Sequence, residues 1–157
     1  MASIYEQIRA TFEVNLSAVS GIPSSIAWEN VAFSPTTNSS YLTVRMVPTT
    51  REPAHRGLNP QMYYQGYFLV TCCVPEGQGP AAGDDLADLI IDAFEATTDI
   101  TNDGTTLHIR YAERDLGTQE GSHYHIPVRI GWYLYAYLQG EFLWPLVKEV
   151  AVVSRIS

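Results

Sequence analysis

Lysine is almost missing from this chain. Lys148 is the only one, and with the arginines the basic side chains number nine against 17 acids in 157 residues. Sequence-independent binding to nucleic acid relies on cationic side chains that release counterions from phosphates, so a nucleic-acid grip is not expected. Cysteine is scarce as well. Cys72 and Cys73 are the only two, and neighbours in a strand point to opposite faces, so two free thiols in a reducing compartment are expected rather than a disulfide. The longest apolar run, around Ile130 to Leu138, falls far short of the ~20 residues of a membrane helix. The first residues, Met-Ala-Ser-Ile-Tyr-Glu-Gln-Ile-Arg, lack the basic start and apolar core of a secretion signal, and a soluble chain made in the cytoplasm is expected. A nucleophile elbow, a Walker loop and a dinucleotide fingerprint are all missing. Gly77-Gln78-Gly79 lacks a third glycine, and a phosphate there would meet acids. Enzymatic activity and a bound cofactor are therefore not expected.

What the chain does have is aromatic surface and one concentrated charge. Its length fits one domain with a substantial core. Ten tyrosines and three tryptophans, with only 17% charged residues, suggest surface that other chains cover. Between the consecutive basic residues Arg56 and Arg110 lie eight acids: Glu76, Asp84, Asp85, Asp88, Asp92, Glu95, Asp99 and Asp103. Nine acids and nine bases remain elsewhere, so this interval holds the entire formal charge of −8.

Periodicity predicts an α+β fold, with two amphipathic helices packed on one face of a mainly antiparallel or mixed sheet. Ile4, Ile8, Phe12 and Leu16 mark a helix from about Ser3 to Ala18, with Ser3 and Glu6 as its capping box. A short strand is expected over Ile26–Phe33, a polar loop over Ser34–Ser40, and a half-buried strand over Tyr41–Val47. The three prolines and three charges of Pro48–Gln61 read as a long hairpin loop, leading into a strand over Met62–Val74. After Gly79-Pro80 a second helix sets Leu86, Leu89, Ile90, Ala93 and Phe94 on one side. Asp84, Asp85, Asp88, Asp92, Glu95 and Asp99 fall on the other, away from the core. Thr101–Gly104 and Gly117–Gly121 read as turns around a strand centred on Leu107, Ile109 and Tyr111. A last long strand alternates Tyr124, Ile126, Val128, Ile130, Trp132 and Leu134 with His123, His125, Arg129, Tyr133, Tyr135 and Tyr137. The domain is expected to span 1–138. An apolar extension over 139–157, containing Phe142 and Trp144, is expected to dock on its own domain or on a neighbour.

Three groups of side chains are candidates for chemistry. His123 and His125 share a strand face with His108 on a nearby strand, but a metal site needs further ligands and a supporting shell, so a polar sheet face is the simpler reading. The six acids read as a solvated face rather than as paired catalytic carboxylates, which need a cleft that separates their pKa values. Tyr133, Tyr135 and Tyr137 lack the basic neighbours of a single-strand-binding platform and fit protein interface anchors better.

The order Ile4-Tyr5-x-x-Ile8, Ile26-Ala27-Trp28-Glu29-Asn30-Val31-x-Phe33, Tyr41-Leu42, Tyr64-x-Gly66-x-Phe68-x-Val70, Val74-Pro75-x-Gly77-x-Gly79 and Ala87-Asp88-x-Ile90 resembles the tail terminator (tail completion) proteins of long-tailed bacteriophages over about residues 3–137. The resemblance implies a virion structural protein, assembled in the host cytoplasm. It would form a hexameric ring on the end of the tail tube, stop tube growth and receive the head–tail connector at the neck, while DNA passes through unbound. A head-closure or tube protein is the neighbouring alternative, and a metal-dependent binding protein a remote one. On this reading Arg51, Glu52, His55, Arg56, Tyr133, Tyr135, Tyr137, Phe142 and Trp144 are the expected contacts to adjacent subunits or tube.

Overall fold

A computed structural model describes residues 3–35, 38–77 and 79–137. Helix α1 (Ile4–Ser17) starts where the capping box predicts. The Glu6 amide donates to Ser3 Oγ at 3.2 Å, and the Ser3 amide donates to the Glu6 carboxylate at 3.0 Å. The strands are β1 (Ile26–Ala27), β2 (Tyr41–Pro53), β3 (Gln61–Pro75), β4 (Asp99–Asn102), β5 (Thr105–Arg114), β6 (Thr118–Glu120) and β7 (His123–Tyr137), with helix α2 (Ala81–Ala93) between β3 and β4. They form one sheet in the order β1-β2-β3-β7-β5-β4, with β6 also paired to β7. Only the β1–β2 pair is parallel, so the sheet is mixed but mainly antiparallel.

The period-two alternation of the two 15-residue strands organises the molecule. β3 and β7 pair along their whole length, from Gln61 opposite Tyr137 to Pro75 opposite His123. Their even-numbered apolar residues, with Leu42, Val44 and Met46 of β2, point into the core, and both helices cover that face. From α1, Phe12 stacks on Phe68 with ring centroids 3.9 Å apart, and it also meets Phe94, just beyond α2, at 5.1 Å. Leu86, Ala87 and Ile90 of α2 are buried as the helical stripe predicts. Gly83 lets α2 approach closely, since a Cβ there would lie 2.6 Å from the Ile126 side chain.

Several expectations are corrected. The segment 48–61 is not mainly loop: β2 runs on to Pro53 and β3 starts at Gln61, so only residues 54–60 lie between them. Pro48 is tolerated because it sits on the outer edge of β2, beyond the short β1, at a register shift between Pro48 and Thr50. The expected strand over Ile26–Phe33 shrinks to Ile26–Ala27, since the chain turns at Trp28 and Asn30 adopts φ 60°. In place of further strand pairing, Glu29 sends its carboxylate to the β2 edge. There it accepts the Met46 amide at 3.0 Å and the Arg9 guanidinium at 3.4 Å. The Thr101–Gly104 turn narrows to Asp103-Gly104, both at positive φ, joining β4 to β5 in a tight hairpin. The Gly117–Gly121 turn contains β6. The expected helix of six acids also ends early: Glu95 follows α2, and Asp99 belongs to β4.

Candidate functional site

Among the described residues, no helix covers the second face of the sheet. It is formed by the odd-numbered residues of β3 and β7 together with their neighbours on β2 and β5, and at ~3.3 Å per residue the two long strands make it ~50 Å long. Its aromatic residues gather at the end where the β2–β3 hairpin tip and the last residues of β7 meet. Tyr63 pairs across the ladder with Tyr135, their rings 5.1 Å apart, and Tyr133 lies 6.1 Å from Tyr63 and 6.2 Å from Tyr135. His108 extends the cluster, with its ring 4.9 Å from Tyr133. The Tyr63 hydroxyl donates to Gln65 Oε1 at 2.6 Å, which fixes that ring, and burial pushes the Tyr63 phenol above its usual range despite the opposing pull of Arg110. Glu52, Pro53, Ala54, Tyr63, Arg110, Tyr133 and Tyr135 together line an open pocket of about 420 Å³.

Strand alternation puts Arg110 there, opposite the buried Leu107 and Ile109, and a bulge then turns Tyr111 to the same face. The β5–β7 register shifts between Ile109 and Tyr111, so Ile109 enters the core while the Tyr111 ring covers Gly131 on the open face. Farther along the face, Arg129 is held by Asp115 at 2.9 Å and Glu113 at 3.2 Å. At the opposite end, Tyr41 packs edge-on against His123 at 5.0 Å, over Cys73.

The expected contact residues separate. Glu52, Tyr133 and Tyr135 come together in the pocket. Arg51 points to the other face, 5.9 Å from the Tyr64 ring, and His55 and Arg56 sit exposed at the hairpin tip. Tyr137 ends β7 opposite Gln61, 58% exposed and outside the pocket wall. Phe142 and Trp144 lie outside the described residues. Tyr63 and Arg110 went unnoticed in the sequence. Period-two alternation sets Tyr63 opposite the core-facing Met62 and Tyr64, and Arg110 opposite the core-facing Leu107 and Ile109. Alternation does not show that the two meet in one pocket.

The acids separate too. Asp85, Asp88 and Asp92 are exposed on α2, with Glu95 exposed just past its end. Asp84 is half-buried and holds Arg114 at 2.5 Å, tying α2 to β5. Asp99 bonds His108 Nδ1 at 2.8 Å.

The histidines do not converge. His123 is buried; its Nε2–H donates to the Ser39 carbonyl at 2.9 Å, and Ser122 Oγ lies 3.0 Å from Nδ1. His125 meets Glu120 at 3.2 Å. His108 pairs with Tyr133, ten residues from His123 along β7 and so ~33 Å away. Among the described residues no group of three or more His, Cys, Asp or Glu side chains is placed to hold a metal ion, and no helix is long and apolar enough to cross a membrane.

Comparison with known proteins agrees with this architecture. Several solved protein chains are similar in fold; one of them has a TM-score of 0.67 and 21% identity over 89% of this chain and 99% of that one. No curated protein sequence is significantly similar. The profile of a family described as phage tail terminator protein matches residues 7–132, from α1 through the core tryptophan of β7. A match over most of the sequence and nearly all of the described domain makes the chain a member of the phage tail terminator protein family.

Proposed function

We propose that this chain is the ring subunit that ends the phage tail tube. Copies join head to tail into a closed, hexameric ring, which caps the tube, stops its polymerisation and offers the docking surface for the head–tail connector at the neck. The observation that carries this reading is the family match over residues 7–132 in a two-layer fold whose second sheet face is left uncovered by the described residues and ends in an aromatic pocket. Tyrosines of this kind anchor protein interfaces, and a ring subunit needs such surfaces for its neighbours and for the tube.

Two further features fit the proposal. The exposed carboxylates of Asp85, Asp88, Asp92 and Glu95, facing solvent or the ring lumen, repel phosphate and so favour passage of DNA over binding. The hairpin tip, with His55 and Arg56, projects beyond the sheet toward an adjacent subunit or the tube. On this reading the body spans 1–138, with 139–157 as an extension. The protein works in the virion tail or neck after assembly in the host cytoplasm, and needs no cofactor, catalysis or membrane.

Particle mass in solution, measured with and without purified tail tubes, tests the proposal. Rings of about six 17.5 kDa chains at tube ends are expected. Incorporation along the tube wall would point to a tube protein instead, and binding only to the head connector would point to a head-closure protein.

A further inference from the structure

A sheet ends in two edge strands, each presenting a row of backbone amides and carbonyls that another chain could pair with. The longer edge is β2. Its neighbour β1 pairs only with Leu42 and Thr43, so from Met46 to Pro53 the outer side of β2 has no strand beside it, over ~26 Å at ~3.3 Å per residue. Antiparallel pairing turns alternate residues of β2 inward to β3 and outward. The Met46 amide points outward, since it donates to Glu29 Oε1 at 3.0 Å, and Pro48 follows it in phase. Past the register shift the phase is reset. The Ala54 amide donates inward to the Gln61 carbonyl at 2.8 Å, so Pro53 and Arg51 point outward.

Most outward donors on this edge are therefore missing or occupied. Pro48 and Pro53 have no N–H, the Met46 amide is taken, and Arg51 turns its amide outward without a partner among the described residues. An added antiparallel strand needs a donor at every second residue. The opposite edge, β4, is four residues long, and Asn15 of α1 donates its side-chain amide to the Thr101 carbonyl there at 3.1 Å. We propose that Pro48, Pro53 and Glu29 lock the β2 edge against strand addition. The strand kept out is β2 of a second copy, which would otherwise pair with it about a two-fold axis and divert subunits into sheet-joined dimers. The lock acts on the free subunit, so its test needs neither tubes nor rings.

The double variant Pro48→Thr, Pro53→Thr restores both outward amides with a strand-compatible residue, and a triple variant adds Glu29→Ala to release the Met46 amide. Sedimentation equilibrium of the full chain across a range of concentrations compares both with the native protein. The double variant should reach at least twice the native mass, and the triple variant should do so at about tenfold lower concentration. Residue-resolved hydrogen exchange locates the contact: the amides at positions 48, 51 and 53 should exchange slowly only in the associated form. Folded variants that keep the native mass at every concentration would overturn the proposal, as would association that leaves those three amides exchanging fast. Should the variants not fold, the native chain carries the test. Its Met46 amide should exchange slowly and its Arg51 amide fast at every concentration, and a slowing of Arg51 as concentration rises would show an edge that pairs unaided and overturn the lock.

Discussion

Replacing Glu29 with alanine should destabilise the domain by about 1.5 kcal/mol, and the cause should be one backbone hydrogen bond rather than the visible ion pair. Glu29 Oε1 accepts from the Met46 amide at 3.0 Å and from Arg9 at 3.4 Å. The Arg9 contact is half-exposed, with the two side chains 39% and 35% accessible, and such pairs contribute only about 0.2–1 kcal/mol. Met46 is 8% exposed, and its amide lies on a strand edge that β1 does not reach. A hydrogen bond to a charged acceptor contributes about 1.5–3 kcal/mol, and water entering at the open edge brings the loss to the lower end. Urea denaturation should show the loss directly, and Tm should fall by about 3–6 °C. Glu29→Gln keeps a carbonyl acceptor for the amide and should recover most of the loss, while Arg9→Ala should cost under about 0.5 kcal/mol. If Glu29→Ala were neutral, or Arg9→Ala cost as much, the edge-bond account of the Trp28–Val31 segment would be wrong.

Gly66→Ala should be more damaging than Gly131→Ala. At Gly66 the new Cβ meets the Val47 carbonyl at 2.5 Å and Pro48 Cα at 2.8 Å, both backbone, whereas at Gly131 it meets only the Tyr111 ring, which can move. Thermal melts should show a loss of about 1–3 kcal/mol at Gly131 and more at Gly66. Burial pushes Cys72 up to about 12 and Cys73 to about 11, the latter eased by its hydrogen bond with Tyr41. Unfolded thiols ionise first, near pH 9, so stability should hold below that pH and fall as pH rises through 9 toward 11–12. Denaturation midpoints across pH 7–11 check the sign, and native protein at pH 8 should resist alkylation until unfolded. Replacing the hairpin tip, residues 54–60, with a short turn should leave a folded monomer that no longer forms rings, as read by circular dichroism and particle mass. Intact rings would remove the tip from the interface.

Elements with strong periodicity were legible in the sequence. The capping box at Ser3, the stripe from Leu86 to Phe94 and the alternation from Tyr124 to Leu134 each appear in the expected place, because each reports which residues meet a core. The extent of β2 was not legible. Prolines at 48 and 53 read as loop unless it is known that this edge of the strand lies beyond its short parallel neighbour. Arg110 and Tyr63 were hidden for a related reason. Alternation sets both on the open face, but their meeting in one pocket depends on pairing between distant segments, β3 with β7 and β7 with β5. The six-acid helix face was partly an artefact of continuing a 100° period past Phe94, where the helix stops. The exposed acids that remain are Asp85, Asp88 and Asp92 on α2 and Glu95 just beyond it.

Electron microscopy of virus assembled without this protein tests the central claim most directly. The account predicts tails of uncontrolled, excessive length, because nothing stops the tube, with no heads joined to them. Tails of normal length, whether detached or attached to heads, would contradict it.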